Sequence, residues 1–214
     1  MTSEQHLREI MCEIGRRLWQ LGMVAANEGN ISVRLDGETI LCTPTGVSKG
    51  FMAADEMARL SLDGEVFSDV KASSEVALHL EAYRSRPDVN AAVHAHPPAA
   101  TGYGISGRPL PVNILAETAT VFREVPVADY GTPGTQEVVV AVRPHLQGHN
   151  AILLRNHGAL TLGRDLWQAY YYMEMLENFA RTALVTVQLG SALEIPPDKL
   201  RELYELRREL GYER

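Results

Sequence analysis

A chain of 214 residues, 45% apolar and 22% charged, has the composition of an ordinary globular protein and is long enough for one well-buried core. Its 27 acidic residues against 20 Lys and Arg give a net charge of -7, and the basic residues are scattered, which argues against nucleic acid as a partner. The lone Cys12 and Cys42 exclude a disulfide framework, and no apolar run approaches the roughly 20 residues of a membrane span. Met1-Thr2-Ser3-Glu4 lacks the basic and apolar stretches of a signal peptide, so a cytoplasmic protein without a membrane partner is expected.

Apolar residues at Leu7, Ile10, Met11, Ile14, Leu18 and Leu21 predict a helix over residues 4–22. A turn at 27–30 leads to a strand at 31–35, a hairpin at Asp36-Gly37 and a partner strand over 39–43. Residues 44–50 read as a loop, and 60–67 as a short strand pair around Asp63-Gly64. Ser73-Ser74 then precedes an N-capped helix over 75–83, stopped by Pro87-Asp88. Residues 91–96 read as a buried strand ending at Pro97-Pro98, and 109–140 as strand and loop, with a turn at 130–134 and a helix start at Thr135. An apolar strand over 150–155 ends at Asn156-His157-Gly158, and a further short strand begins at Leu160. A long helix over 167–189 and a short one after Pro196-Pro197 complete the chain. Hairpins mixed with helices predict a largely antiparallel sheet covered by helices, in one domain over residues 1–214.

The chemistry gathers in a few segments. In His94-Ala95-His96, residues two apart on a strand point to one face, so both imidazoles can reach one metal ion. His157 also follows a strand end, and three neutral imidazoles suit a catalytic zinc with an open fourth position. His6, His79, His145 and His149 lie in helical or polar contexts and read as surface or packing residues. Ser73 and Ser74 before a helix offer hydroxyl and backbone N–H groups to an anion, and Glu75 beside them is a candidate general base. Gly29-Asn30 and Thr45-Gly46 have the composition of anion-binding turns. Lys49 reads as a surface residue.

In order and spacing, Gly-Asn-Ile-Ser-Val-Arg (29–34), Thr-Pro-Thr-Gly (43–46), Ser-Ser-Glu (73–75), His-Ala-His (94–96) and Asn-His-Gly (156–158) resemble the class II aldolase/adducin family over roughly residues 5–190. The resemblance implies an α/β fold, a three-layer α/β/α sandwich around a mainly antiparallel sheet, in a homotetramer with active sites at subunit interfaces. It implies His94, His96 and His157 as ligands of one Zn2+ per subunit and Glu75 as the acid/base carboxylate. Asn30, Thr45, Gly46, Ser73 and Ser74 then match the phosphate cradle of a small phosphorylated sugar. The implied reaction, like that of the fuculose-phosphate aldolases, splits a ketose 1-phosphate into dihydroxyacetone phosphate and an aldehyde through a metal-stabilised enediolate. Family alternatives are a 4-epimerase, a dehydratase, a decarboxylase or a non-catalytic adducin-like scaffold, and manganese or cobalt in place of zinc. The family's tyrosine acid is missing from residues 112–118, where Glu117 is the candidate replacement.

Overall fold

The computed structural model describes residues 3–212. Seven strands form one sheet: β1 (Asn30–Arg34), β2 (Thr39–Cys42), β3 (Ala58–Ser61), β4 (Ala91–Ala95), β5 (Val127–Ala128), β6 (Ala151–Leu154) and β7 (Gly158–Gly163). Their order across the sheet is β3-β2-β1-β4-β7-β6-β5. Every neighbouring pair is antiparallel except β5 and β6, as expected of a sheet built from hairpins.

The α-helices among the described residues are α1 (Glu4–Gln20), α2 (Val76–Ser85), α3 (Pro98–Ser106), α4 (Ala116–Val121), α5 (Gln136–Val142), α6 (Leu166–Gln188) and α7 (Pro197–Glu209). They lie on both faces of the sheet, and side-chain alternation assigns the layers. Ile31, Val33, Ala91, Val93 and Ala95 enter the same cluster as Met11, Ile14 and Leu18 of α1, Ala100 and Tyr103 of α3, and Met173, Leu176 and Phe179 of α6. Ala92, Ile152, Leu154, Leu160 and Leu162 point the other way, against Leu78, Ala82 and Tyr83 of α2 and Val138, Val139 and Val142 of α5. By the same parity Asn30, Ser32 and His94 face the α2 side.

Several expectations need correction. The segment read as loop and strand over 109–140 holds the six-residue helix α4, and α3 follows Pro97 directly. The glycines at 102 and 104 hide α3 from a reading of helical periodicity. Its N-terminus is instead capped from a distance: Glu177 of α6, buried, accepts from the backbone N–H groups of Ala99 and Ala100. Helix α2 starts at Val76, so Glu75 stands at its N-cap position and not in the first turn. The strand pair over 60–67 reduces to β3 and one bridge, Leu60 to Val66. Strand β7 begins at Gly158, ahead of Leu160.

Candidate metal centre

Three elements bring the histidines together. His94 sits on β4 opposite Asn30 on one side and Leu160 on the other. His96 lies just past the strand end, where its backbone N–H donates to the Met23 carbonyl. His157 is in the three-residue turn between β6 and β7, in which Asn156 adopts a left-handed φ of 56°. Gly158 follows, and a Cβ there would stand 2.4 Å from the Ala95 carbonyl oxygen and 2.6 Å from His96 Cδ2. Glycine therefore lets the hairpin close against the strand that carries the other two histidines.

One ring nitrogen from each histidine lies within 4.8 Å of the others. His94 Nε2 and His96 Nε2 are 3.3 Å apart, while His94 Nδ1 is 2.9 Å from the Ala159 carbonyl oxygen. That carbonyl accepts from Nδ1–H, which leaves Nε2 as a lone-pair donor toward the cluster. His96 has Glu28 Oε2 3.4 Å from its Nδ1, a carboxylate behind this ring where His94 has a carbonyl. Glu75 closes the group, with Oε2 3.4 Å from His94 Nε2 and Oε1 3.2 Å from His157 Nε2. Convergent imidazole lone pairs backed by a carbonyl and a carboxylate, with one carboxylate in front, fit a divalent metal ion.

The electrostatics agree with this arrangement. Burial, reinforced by the neighbouring His94, pushes His96 down to about 4, so its ring is neutral near pH 7. Burial alone would raise the Glu75 carboxyl, but the facing His157 and His94 outweigh it and hold the group well below the usual carboxylate range.

The loops read from the sequence as anion-binding turns meet beside Glu75. Asn30 is buried, and its Nδ2 donates to Ser73 Oγ at 2.8 Å. The backbone N–H of Ser73 donates to the Thr43 carbonyl, and Thr43 Oγ1 accepts from the Ile31 N–H. Ser73 Oγ also accepts from the Glu75 N–H. Ser74 and Gly46 are exposed, Thr45 is partly buried, and Gly46 has the positive φ that glycine permits. Gly29 approaches β4 so closely that a Cβ would stand 2.8 Å from the His94 carbonyl oxygen. Lys49, expected at the surface, is buried; its ammonium donates to the carbonyls of Asn27 and Val47 and so ties the two loops together. Burial lowers its pKa. Nothing in the local sequence signals this, because the two carbonyls come from different loops.

Glu117 lies elsewhere in the chain. It is exposed in the first turn of α4 and lines a cleft of about 1050 Å3 with Leu115, Trp167 and Tyr171, a cleft that none of the three histidines nor Glu75 lines. His79, read as a surface or packing residue, is fully buried one helical turn from Glu75. Among the described residues, no helix is long and apolar enough to cross a membrane.

Comparison with known proteins is consistent with this geometry. Residues 9–184 match the family described as Class II Aldolase and Adducin N-terminal domain. A 3-oxo-tetronate 4-phosphate decarboxylase from Pectobacterium atrosepticum is 34% identical over 86% of this chain and 87% of its own length. An L-fuculose phosphate aldolase from Methanocaldococcus jannaschii is also 34% identical, over 82% of this chain and 94% of its own. Among solved structures, an L-fuculose 1-phosphate aldolase superposes with a TM-score of 0.88 at 27% identity, covering 97% of this chain and 98% of that one.

Proposed function

Because the chain belongs to the class II aldolase and adducin family, we propose that it is a zinc-dependent lyase that splits a ketose 1-phosphate, of the L-fuculose 1-phosphate kind, into dihydroxyacetone phosphate and an aldehyde. The observation that carries this reading is the facing of three imidazoles and one carboxylate beside a wall of loop amide and hydroxyl groups. His94, His96 and His157 would hold the ion, which when bound supplies Lewis-acid polarisation of the substrate carbonyl. The same donor set also suits manganese or cobalt.

Glu75 carries the proton to and from the carbon beside that carbonyl, the position that gains charge when the C–C bond breaks. Asn30, Thr45, Gly46, Ser73 and Ser74 take the phosphate oxygens. Their contacts lie away from the reacting carbon, so they supply orientation and remote binding energy. Lys49 adds a positive charge behind the loops of an otherwise acidic protein. In a homotetramer with sites at subunit interfaces, Glu117 of one copy serves the site of a neighbouring copy, taking the proton from the hydroxyl that becomes the aldehyde oxygen and returning it as the acid in the reverse, condensing direction.

A second reading is decarboxylation of a 3-oxo sugar-acid phosphate. The similarity to decarboxylases favours it. Loss of carbon dioxide leaves a carbanion, to which Glu75 passes a proton taken up from solvent, and it needs no base for a hydroxyl that becomes an aldehyde.

The test couples elemental analysis to product detection. Wild type and Glu75→Gln are incubated with a panel of ketose 1-phosphates and a 3-oxo-tetronate 4-phosphate. About one zinc per chain is expected. Dihydroxyacetone phosphate release that falls about 10²–10⁴-fold in Glu75→Gln supports the aldolase. Carbon dioxide release alone selects the second reading. Bound metal with neither product points to an epimerase or dehydratase, and absence of any divalent metal removes the mechanism in favour of a scaffold.

A further inference from the structure

The polar face of the sheet continues behind Glu75. Glu75, His79 and Tyr83 follow at intervals of four, which sets them on one face of α2 and its N-cap. That face meets Ser32 of β1, whose Oγ is 2.7 Å from His79 Nδ1 and 2.7 Å from the Tyr83 hydroxyl. Ser32, His79 and Tyr83 are all buried.

The protons along this chain can be assigned from its ends. Burial pushes the Tyr83 phenol well above the ordinary tyrosine value, so it stays protonated and donates to Ser32 Oγ. Ser32 then turns its own hydrogen to His79 Nδ1. Burial, with His94 adding to it, pushes His79 down to about 3, so the ring is neutral and carries one hydrogen. With Nδ1 accepting, that hydrogen sits on Nε2. His79 Nε2 is buried without a hydrogen-bond partner, one helical turn from Glu75. A buried N–H donor without a partner, on the helix face that carries Glu75, is complementary to that carboxylate and costly to leave unmade.

We propose that His79 is a positioning residue for Glu75: its Nε2–H is the donor that receives the carboxylate when it turns from His94 and His157 towards the substrate. A neutral donor fixes where the carboxylate points without adding a positive charge that would weaken it as a base. Tyr83 and Ser32 hold the tautomer, as a carbonyl holds that of His94. The idea rests on Glu75 being the proton carrier, as proposed above.

The test uses zinc-loaded full-length protein with 15N-labelled histidine. Long-range 1H–15N spectra are expected to show His79 as the Nε2–H tautomer, and Glu75→Gln is expected to displace its Nε2 and Hε2 resonances. In kinetics, His79→Asn keeps an amide at the Nδ1 position for Ser32 but removes the donor. It should lower kcat about 10–100-fold with KM and zinc content unchanged. His79→Gln places an amide nitrogen at the Nε2 position and should recover most of kcat. A purely structural histidine predicts the reverse, with Asn tolerated and Gln damaging. An Nδ1–H tautomer, resonances unmoved by Glu75→Gln, or full kcat in His79→Asn would overturn the proposal. If no panel substrate is turned over, the reading of the reaction falls, while the spectra still decide the His79–Glu75 contact. Should His79→Asn fail to fold, the spectra of wild type and Glu75→Gln decide alone.

Discussion

The face of the sheet that meets α1, α3 and α6 presents Ile31, Val33, Ala91, Val93, Ala95 and Leu153 in one apolar cluster. The opposite face begins the same way, with Ile152, Leu160 and Leu162, but at β4 and β1 it turns to His94, Asn30 and Ser32. The two faces share the same strands, so alternation alone separates them. The apolar face needs only to be filled. The polar face buries donors and acceptors whose partners must arrive from α2, the Ser73 turn and the β6–β7 hairpin. Dense packing on one side thus fixes the strands on which the other side's polar groups are aimed.

The largest effect on stability should come from the apolar side. Phe179→Ala empties a fully buried position on α6 and should cost about 3–5 kcal/mol. Chemical denaturation would measure it, and the metal content of the folded fraction should not change. A loss of metal at full stability would show that the faces are not separable in this way.

Gly158→Ala probes the seam between them. Its Cβ would meet the Ala95 carbonyl and the His96 ring, so the hairpin must withdraw from β4. A stability loss of about 1–3 kcal/mol is expected, accompanied by weaker metal binding in competition with a chelator. Stability lost with metal affinity intact would mean that His157 can follow His94 and His96 without the close approach.

A pH titration of stability tests the polar face by itself. His79 is pushed down to about 3 in the folded protein, against about 6.5 for an ordinary histidine. As pH falls below about 6.5 the unfolded chain takes up a proton that the folded chain refuses. Stability is therefore lost from there downward, by about 1.4 kcal/mol per pH unit, and the loss levels off near the folded pKa. His94 adds to this depression and Glu75 opposes it, while Ser32 and Tyr83 contribute no charge. His79→Gln should flatten this part of the curve; an unchanged slope would assign it to other groups.

The smallest effect is expected at Lys49. Lys49→Met removes the tie between the 27–30 and 43–47 loops together with the cost of burying an ammonium. Stability should change by less than about 1 kcal/mol, because the two effects oppose one another. KM for a phosphorylated substrate should rise, by about tenfold at most, because the positive charge behind the loops is lost. A large loss of stability with KM unchanged would make Lys49 a residue of the fold and not of the site.

Elements with strong period were legible before any coordinates. The threefold and fourfold spacing in α1 and α6, the alternation in β1 and β2, and the apolar run of β6 each carry their own signal. Helix α3 carries none, since its glycines oppose helix and its first amides depend on Glu177, 77 and 78 residues away. The spacing of His94 and His96 announced a pair, because strand period is local. That Glu75 closes the group depended on strand order, which places α2 over β1 and β4.

The sequence by itself determined the residue types available for chemistry and the strands and helices that repeat regularly, since propensity and periodicity act over a few neighbours. Only the tertiary structure decided that Lys49 is buried, that Glu117 opens onto a different cleft, and that His79 Nε2 is buried without a partner one turn from Glu75. Each of these depends on groups distant in sequence, and burial and hydrogen bonding are properties of what surrounds a side chain.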